Sequence, residues 1–425
     1  MSLHSETVDY LKTLWKSNDE YIINDNSIIY NIYNIIIIIC RFIIIVIQYP
    51  YILKRMVLED EQYNISLTNI SNELTNLNNI NFWTIQKIFW YFLYGLSKKN
   101  YNKIIYARVF AKYKYGPHDK VDSYRYLVTH HKVLLLIDNY LRLWLYSHIK
   151  HNMPDPNIFK AVLFSDVNNI NIYDNICKIA NTNTTSIINV VLLDITKAYD
   201  SLEWNILREL LISNLNNKVG KYKSMFFVEN YFYILQNRIV TYNNVVIPFK
   251  KGIPTGLSSS ILIFTLAIEE IINRWLLNTP SIKINIDFKL NIYVDDIYIK
   301  ILNKDKTELI VYTLIRYLAT YKLFINNTKS KAYKHLNLNL IELKYTDYYL
   351  GLPFTRDIKL YSRLILSEIK KKYNIIISWE DIINIIENNL SLKAKLLNLL
   401  YYKLYPFIID KSPESLISFI TNCVL

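Results

Sequence analysis

Leu290-Asn291-Ile292-Tyr293-Val294-Asp295-Asp296-Ile297-Tyr298-Ile299-Lys300 sets two adjacent aspartates between short alternating apolar runs. The period-two pattern on each flank predicts two strands, with the acidic pair in the tight turn that joins them. Two carboxylates on one hairpin tip repel each other, a cost that is relieved when the pair holds a cation. An Asp-Asp dipeptide is equally the mark of a solvated turn. The rest of the chain has to decide between the two.

Upstream, Val190-Val191-Leu192-Leu193-Asp194 reads as a buried strand ending on an acid, followed by a helix over 204–215. If this strand neighbours the acidic hairpin, three carboxylates meet at one sheet edge. Such a cluster of oxygen ligands suits two hard cations and in-line phosphoryl transfer. Between the two acidic segments the pattern predicts a helix over about 221–236 and a hairpin over 239–248 turning at Asn243-Asn244. After these come a glycine turn, Gly252-Ile253-Pro254-Thr255-Gly256, and an apolar helix over 261–277. A basic strand-like stretch from Tyr106 leads into an apolar-periodic helix at Lys132–Leu141, and the Asn-rich segment 166–187 reads as loops around a short helix. Beyond the acidic hairpin lie a helix over 304–321, a hydrophobic turn at Tyr349-Leu350-Gly351 and about 60 residues of helices. Antiparallel strands with helices packed on one side predict an α+β domain.

The chain has 425 residues, 52% of them hydrophobic, enough to bury a core in two or three subdomains. Its formal net charge of +13 points to a polyanionic partner, nucleic acid or an anionic surface. Cys40, Cys177 and Cys423 stand far apart with no CxxC spacing. That argues against a disulfide framework or a zinc site and fits a reducing compartment such as nucleus, cytoplasm or mitochondrion. The apolar run Ile35–Ile47 is short for a membrane span and is interrupted by Arg41. With 37 Tyr but 6 Gly, the composition favours residues of AT-rich codons, so Ile and Asn runs say little. The glycines say more: Gly252, Gly256 and Gly351 all fall in the motifs.

Taken in order, these segments resemble the palm of a reverse transcriptase, most closely the non-LTR (LINE-type) group. Leu193 to Ser201 is similar to the family's first palm motif, which implies a metal-binding role for Asp194 and a steric gate against ribonucleotides at Tyr199. An aromatic ring under the sugar leaves no room for a 2′-OH. The turn Gly252–Gly256 and the helix after it resemble the second motif, in which Thr255 and Gly256 would meet the nucleotide and glycine lets the backbone approach it. Tyr293-Val294-Asp295-Asp296 matches the third motif, with Asp295 the essential metal ligand and Asp296 assisting. Asn326 to Lys329 resembles the fourth, whose Lys329 would protonate the leaving pyrophosphate. Tyr349, Leu350 and Gly351 resemble the turn that grips the primer end. In the fingers, Asp122 to Leu127 resembles the segment whose Arg125 clasps the triphosphate. Lys112 and Lys114 both fit the partner lysine, Lys114 being preferred.

The resemblance implies a right-hand polymerase fold: an unassigned helical extension over 1–104, fingers over 105–189, an antiparallel-sheet palm over 190–355 and a helical thumb over 356–425. Lysines 370–372, 393, 395 and 403 would lie along the thumb, interleaved with Tyr, and track a phosphate backbone. The implied cofactors are two Mg²⁺ or Mn²⁺ ions, and the implied partners an RNA template, a DNA primer and dNTPs. Four features depart from the family: Thr255 replaces the usual Gln, Ile261 and Tyr126 replace prolines, and 158–178 fits the remaining fingers motif poorly. They keep a second reading open, a repurposed, maturase-like RNA-binding protein. A third, an RNA-templated RNA polymerase, shares the palm but is opposed by Tyr199.

Overall fold

The computed structural model describes residues 3–16, 106–114, 117–130, 148–160, 187–404 and 413–424, with isolated positions between 135 and 146 and short exceptions at 237, 337, 356, 374–375, 377 and 389–392. The apolar run 35–47 and the segments 161–178 and 166–186 lie outside the described residues. Among the described residues, no helix is long and apolar enough to cross a membrane. The chain divides into two compact units, each discontinuous in sequence.

The first unit comprises Met1–Met153, Lys197–Ile271 and Tyr321–Leu323. It opens with helix α1 (Leu3–Leu14). Strands β1 (Tyr106–Tyr113) and β2 (Tyr124–His130) pair antiparallel and form one side of a four-stranded sheet. The sheet's remaining strands are β4 (Ile239–Tyr242) and β5 (Val245–Ile247), in the order β2-β1-β4-β5.

The second unit comprises Pro154–Thr196, Ile272–Thr320 and Phe324–Leu425. Its five-stranded sheet contains β3 (Val190–Asp194), a run of Val and Leu in which Val190, Val191 and Leu193 are buried and Leu192 is half-buried. After β3 the chain re-enters the first unit at Lys197 and turns through the short helix α2 (Ala198–Ser201) into α3 (Trp204–Val219), which stops at Gly220, φ 84°. Helix α4 (Lys221–Gln236) follows, then β4 (Ile239–Tyr242) and β5 (Val245–Ile247). The β4–β5 turn falls on Asn243 and Asn244, both at positive φ (46° and 67°). Asn is favoured in this type I′ geometry, so the turn was readable from the Asn-Asn pair.

Helix α5 (Ser260–Asn278) is apolar nearly all round and accordingly buried. Its two acids are paired: Glu269 with Lys218 (2.9 Å) and Asn214 (2.9 Å), Glu270 with the Ser213 hydroxyl (2.6 Å). Strands β6 (Phe288–Tyr293) and β7 (Asp296–Ile301) form the acidic hairpin, followed by α6 (Thr307–Thr320), β8 (Lys331–Ala332) and β9 (Ile341–Glu342). The sheet order is β6-β7-β3-β8-β9, which puts β3 beside β7 as the acid-bearing strands require.

A small hairpin, β10 (Tyr348–Tyr349) and β11 (Leu352–Pro353), precedes the C-terminal helices α7 (Ile358–Lys372), α8 (Trp379–Glu387), α9 (Lys393–Leu404) and α10 (Pro413–Phe419). Asp357 caps α7, and Ser378 with Asp381 forms a capping box on α8. These helices bury their own apolar cluster, which includes Tyr361, Ile365, Trp379, Ile382, Leu396 and Leu400.

Candidate functional site

The acids come together through strand register. Asp194, the last residue of β3, lies opposite Asp296, the first residue of β7. Asp296 is in turn paired with Tyr293 across the hairpin, so Val294 and Asp295 form a two-residue turn. Of these two, Val294 alone has a positive φ, 57°. A turn with positive φ at its first central residue normally carries Gly. A β-branched residue there stores strain, on the order of 1–3 kcal/mol, that the flanking ladder must offset.

The loop before β8 is fastened to Asp194: the amide of Asn326 donates to the Asp194 carbonyl (2.8 Å), and the amide of Asp194 donates to the Ser330 hydroxyl (3.0 Å). This brings the Lys329 ammonium to 3.6 Å from the Asp194 carboxylate, with the lysine side chain 54% exposed. Burial, then Asp295, then Asp194 push the Asp296 carboxyl up to about 7, against a partial opposing effect from Lys329. The three carboxylates therefore share one electrostatic environment. Among the described residues, no group of three or more His, Cys, Asp or Glu side chains is arranged to hold a metal ion. The donor set is nonetheless all carboxylate oxygen, the kind that Mg²⁺ and Mn²⁺ take, and a bound cation relieves the repulsion that lifts Asp296.

The raised pKa has a testable sign. Asp296 keeps its proton up to about pH 7 when folded but only to its ordinary 3.8 when unfolded. Its contribution to metal-free stability is thus full at low pH and is lost as pH rises through 7. Ligation needs the ionised form, so Mn²⁺ affinity, followed by electron paramagnetic resonance, should rise between pH 6 and 8 with release of a proton. In Asp296→Asn that pH dependence should flatten.

The first unit carries the residues expected to meet the nucleotide. Lys197, at φ 46°, turns the chain so that α2 presents Tyr199, whose ring stacks on Phe264 of α5 at 4.9 Å. Gly252 is locked against the same turn. Its amide donates to the Leu202 carbonyl (2.8 Å), that of Ile253 donates to the Tyr199 carbonyl (2.7 Å), and the Trp204 indole donates to the Gly252 carbonyl (2.9 Å). Gly252 has φ 87°, and a Cβ there would stand 2.9 Å from the Tyr199 carbonyl. At Gly252 the bare backbone admits the 199–202 turn, a requirement that the sequence motif does not reveal. Gly252→Ala should cost ~2 kcal/mol and lower the thermal midpoint by several degrees, readable by calorimetry.

A Cβ on Gly256 would run into the Val128 carbonyl of β2, while Thr255 beside it is exposed. The loop is also held by a residue to which the sequence reading gave no role. Buried Asp138 accepts hydrogen bonds from the Ser258 hydroxyl (2.8 Å), the Ser259 amide (3.0 Å) and the Ser259 hydroxyl. Burial raises the Asp138 pKa against these bonds. A lone acid inside an apolar helix was its only local signal.

In the fingers-like hairpin, exposed Arg125 lies directly opposite Lys112. Lys114, the lysine preferred from sequence, lies beyond the strand end, and its charge acts on Asp200. The register thus makes Lys112 the cation beside Arg125.

The expected primer grip divides in two. Tyr349 is 3% exposed and packs on Tyr298 of β7 at 5.1 Å, which makes it a core residue. Leu350 and Gly351 form the turn, at φ 49° and 75°. The Gly351 carbonyl accepts from Lys403 of α9 (2.6 Å), which also pairs with Glu368 (2.9 Å). Lys403, 4% exposed, therefore braces this turn and is not one of the lysines open to a phosphate backbone.

Residues 119–354 match the family described as reverse transcriptase (RNA-dependent DNA polymerase). No curated protein matches. Among solved structures, the chain is similar to apo telomerase from Candida tropicalis, truncated from its C-terminal domain, at 14% identity and TM-score 0.38. That alignment covers 54% of this chain and spans half (50%) of the other. The family match runs from just before β2 to just past β11 and includes Arg125, Tyr199, the glycine turn and all three acids.

Proposed function

Because the chain belongs to the reverse transcriptase family, with the right-hand polymerase fold and the nucleotidyltransferase chemistry of an RNA-directed DNA polymerase, we propose that it extends a primer 3′-OH with deoxynucleotides on an RNA template. The supporting observation is the register that sets Asp194 opposite Asp296, with Asp295 in the adjoining turn. Asp194 and Asp295 would hold the divalent cations, with Asp296 assisting. When bound, the cations activate the attacking hydroxyl and neutralise the triphosphate.

The chain's own residues supply positioning and charge. Arg125, with Lys112 opposite it, takes the triphosphate. Tyr199 rejects the 2′-OH, and Thr255 and Gly256 border the nucleotide. Lys329, already paired with Asp194, is the candidate to protonate the leaving pyrophosphate. Within the family, the sequence Leu193–Ser201 and the hairpin before Gly252 favour the LINE-type group, and hence a mobile-element origin.

The test is direct. Purified full-length protein is given poly(rA) primed with oligo(dT), dTTP and Mg²⁺, and the primer should lengthen. RNA binding without extension would overturn the polymerase reading in favour of a repurposed binding protein, the alternative that Thr255 motivates.

A further inference from the structure

Helix α1 and the residue after it have no place in the chemistry described so far, yet they touch three parts of the nucleotide-facing machinery of the first unit. Trp15 is 1% exposed. Its indole N–H donates to Asp200 Oδ1 (2.9 Å), and its carbonyl accepts from the Lys250 amide (2.9 Å). Its ring lies on Phe249 at 4.8 Å. One helical turn back, Tyr10 carries the Lys197 ammonium over its ring at 4.6 Å and packs against Tyr126 of β2 at 5.4 Å. Helix α1 and Trp15 together therefore meet the turn that presents Tyr199, the segment after β5 that leads into Gly252, and β2.

Asp200 is the residue through which this contact acts. Burial pushes its pKa up, while the Trp15 N–H and the charges of Lys197, Lys114 and Lys251 stabilise its ionised form. An indole offers a donor and nothing else, so the bond has one direction. Asp200 directly follows Tyr199, whose carbonyl takes the Ile253 amide and whose ring lies on Phe264. Holding the Asp200 carboxylate thus fixes the backbone that carries the ring. Simple burial of a tryptophan would need the ring but not the N–H, and that difference makes the idea testable.

We infer that α1 is a latch on the sugar gate: Trp15 is a positioning residue that, through Asp200, fixes Tyr199 and the 250–253 turn and thereby sets discrimination between deoxy- and ribonucleotides. This rests on the polymerase reading above.

The test uses full-length protein on poly(rA)–oligo(dT), comparing kcat/KM for dTTP and UTP. Trp15→Phe keeps an aromatic ring and removes the donor; it should lower the dTTP:UTP ratio by about tenfold, the scale of one hydrogen bond to a charged group. Combined with Tyr199→Ala it should lower the ratio no further than Tyr199→Ala alone, because both act through one ring. Amide exchange at Asp200, Gly252 and Ile253 should also quicken in Trp15→Phe. An unchanged ratio alongside a lowered one in Tyr199→Ala, full multiplication in the double variant, or unchanged exchange would each overturn the latch. If Trp15→Phe does not fold, Asp200→Ala and Asp200→Asn replace it. The asparagine retains an acceptor oxygen and should keep more of the ratio than the alanine does, and equal ratios would overturn the latch. If the wild-type protein does not extend the primer, the polymerase reading fails, and the exchange rates alone decide whether Trp15 holds the Tyr199 turn.

Discussion

Asp295→Asn should lower primer extension by about 10³-fold or more, the loss expected when a ligand of the charge-neutralising cations is removed. The substitution keeps the side chain's size and leaves the Val294 turn and the β6–β7 ladder in place. It also removes one of the two charges that raise the pKa of Asp296. The metal-free variant should therefore be at least as heat-stable as wild type, with the Asp296 titration displaced to lower pH. Activity lost while stability is kept separates a metal ligand from a structural turn residue. If Asp295→Asn extended primers at a tenth of the wild-type rate or better, the assignment of Asp295 would be wrong. Single-turnover rates and a thermal scan on the same preparation suffice.

Tyr199→Ala should reduce the preference for dTTP over UTP by about 10- to 100-fold, the scale on which pockets discriminate by shape. Tyr199→Phe should leave it nearly unchanged, because the ring and not the hydroxyl excludes the 2′-OH. The alanine variant also loses the stack on Phe264, so some stability goes with it. A ratio of kcat/KM values is insensitive to the fraction of folded enzyme, which keeps the readout clean. An unchanged preference in the alanine variant would remove Tyr199 from the gate.

Much of the fold was legible because its signals are local. The acidic hairpin announces itself through period-two runs around a dipeptide, β3 through an unbroken apolar run, and the 243–244 turn through two residues that tolerate positive φ. Neighbouring β3 and β7 followed from asking where two acid-bearing strands could meet. What stayed hidden depends on contacts between distant parts of the chain. Trp15 meets Asp200 across 185 residues, and Asp138 meets Ser258 across 120. No periodicity encodes either pair. Gly252 shows the intermediate case. Its presence was readable, but its reason, the 199–202 turn packed against it, was not. Tyr349 and Lys403 show the opposite error, in which residue types suited to gripping nucleic acid are spent on the core and on bracing a turn.

Gly256 carries a last consequence, for how this sequence can drift. Its surface is exposed, so by accessibility alone it should tolerate change, yet any side chain would meet the Val128 carbonyl. In a chain with 6 glycines among 425 residues, a backbone oxygen on β2 acts as a filter on substitution at this one. A side chain at this position therefore requires β2 to move as well, so that a single substitution is not enough. Glycine here marks a steric veto set by a neighbouring strand and invisible in its exposure.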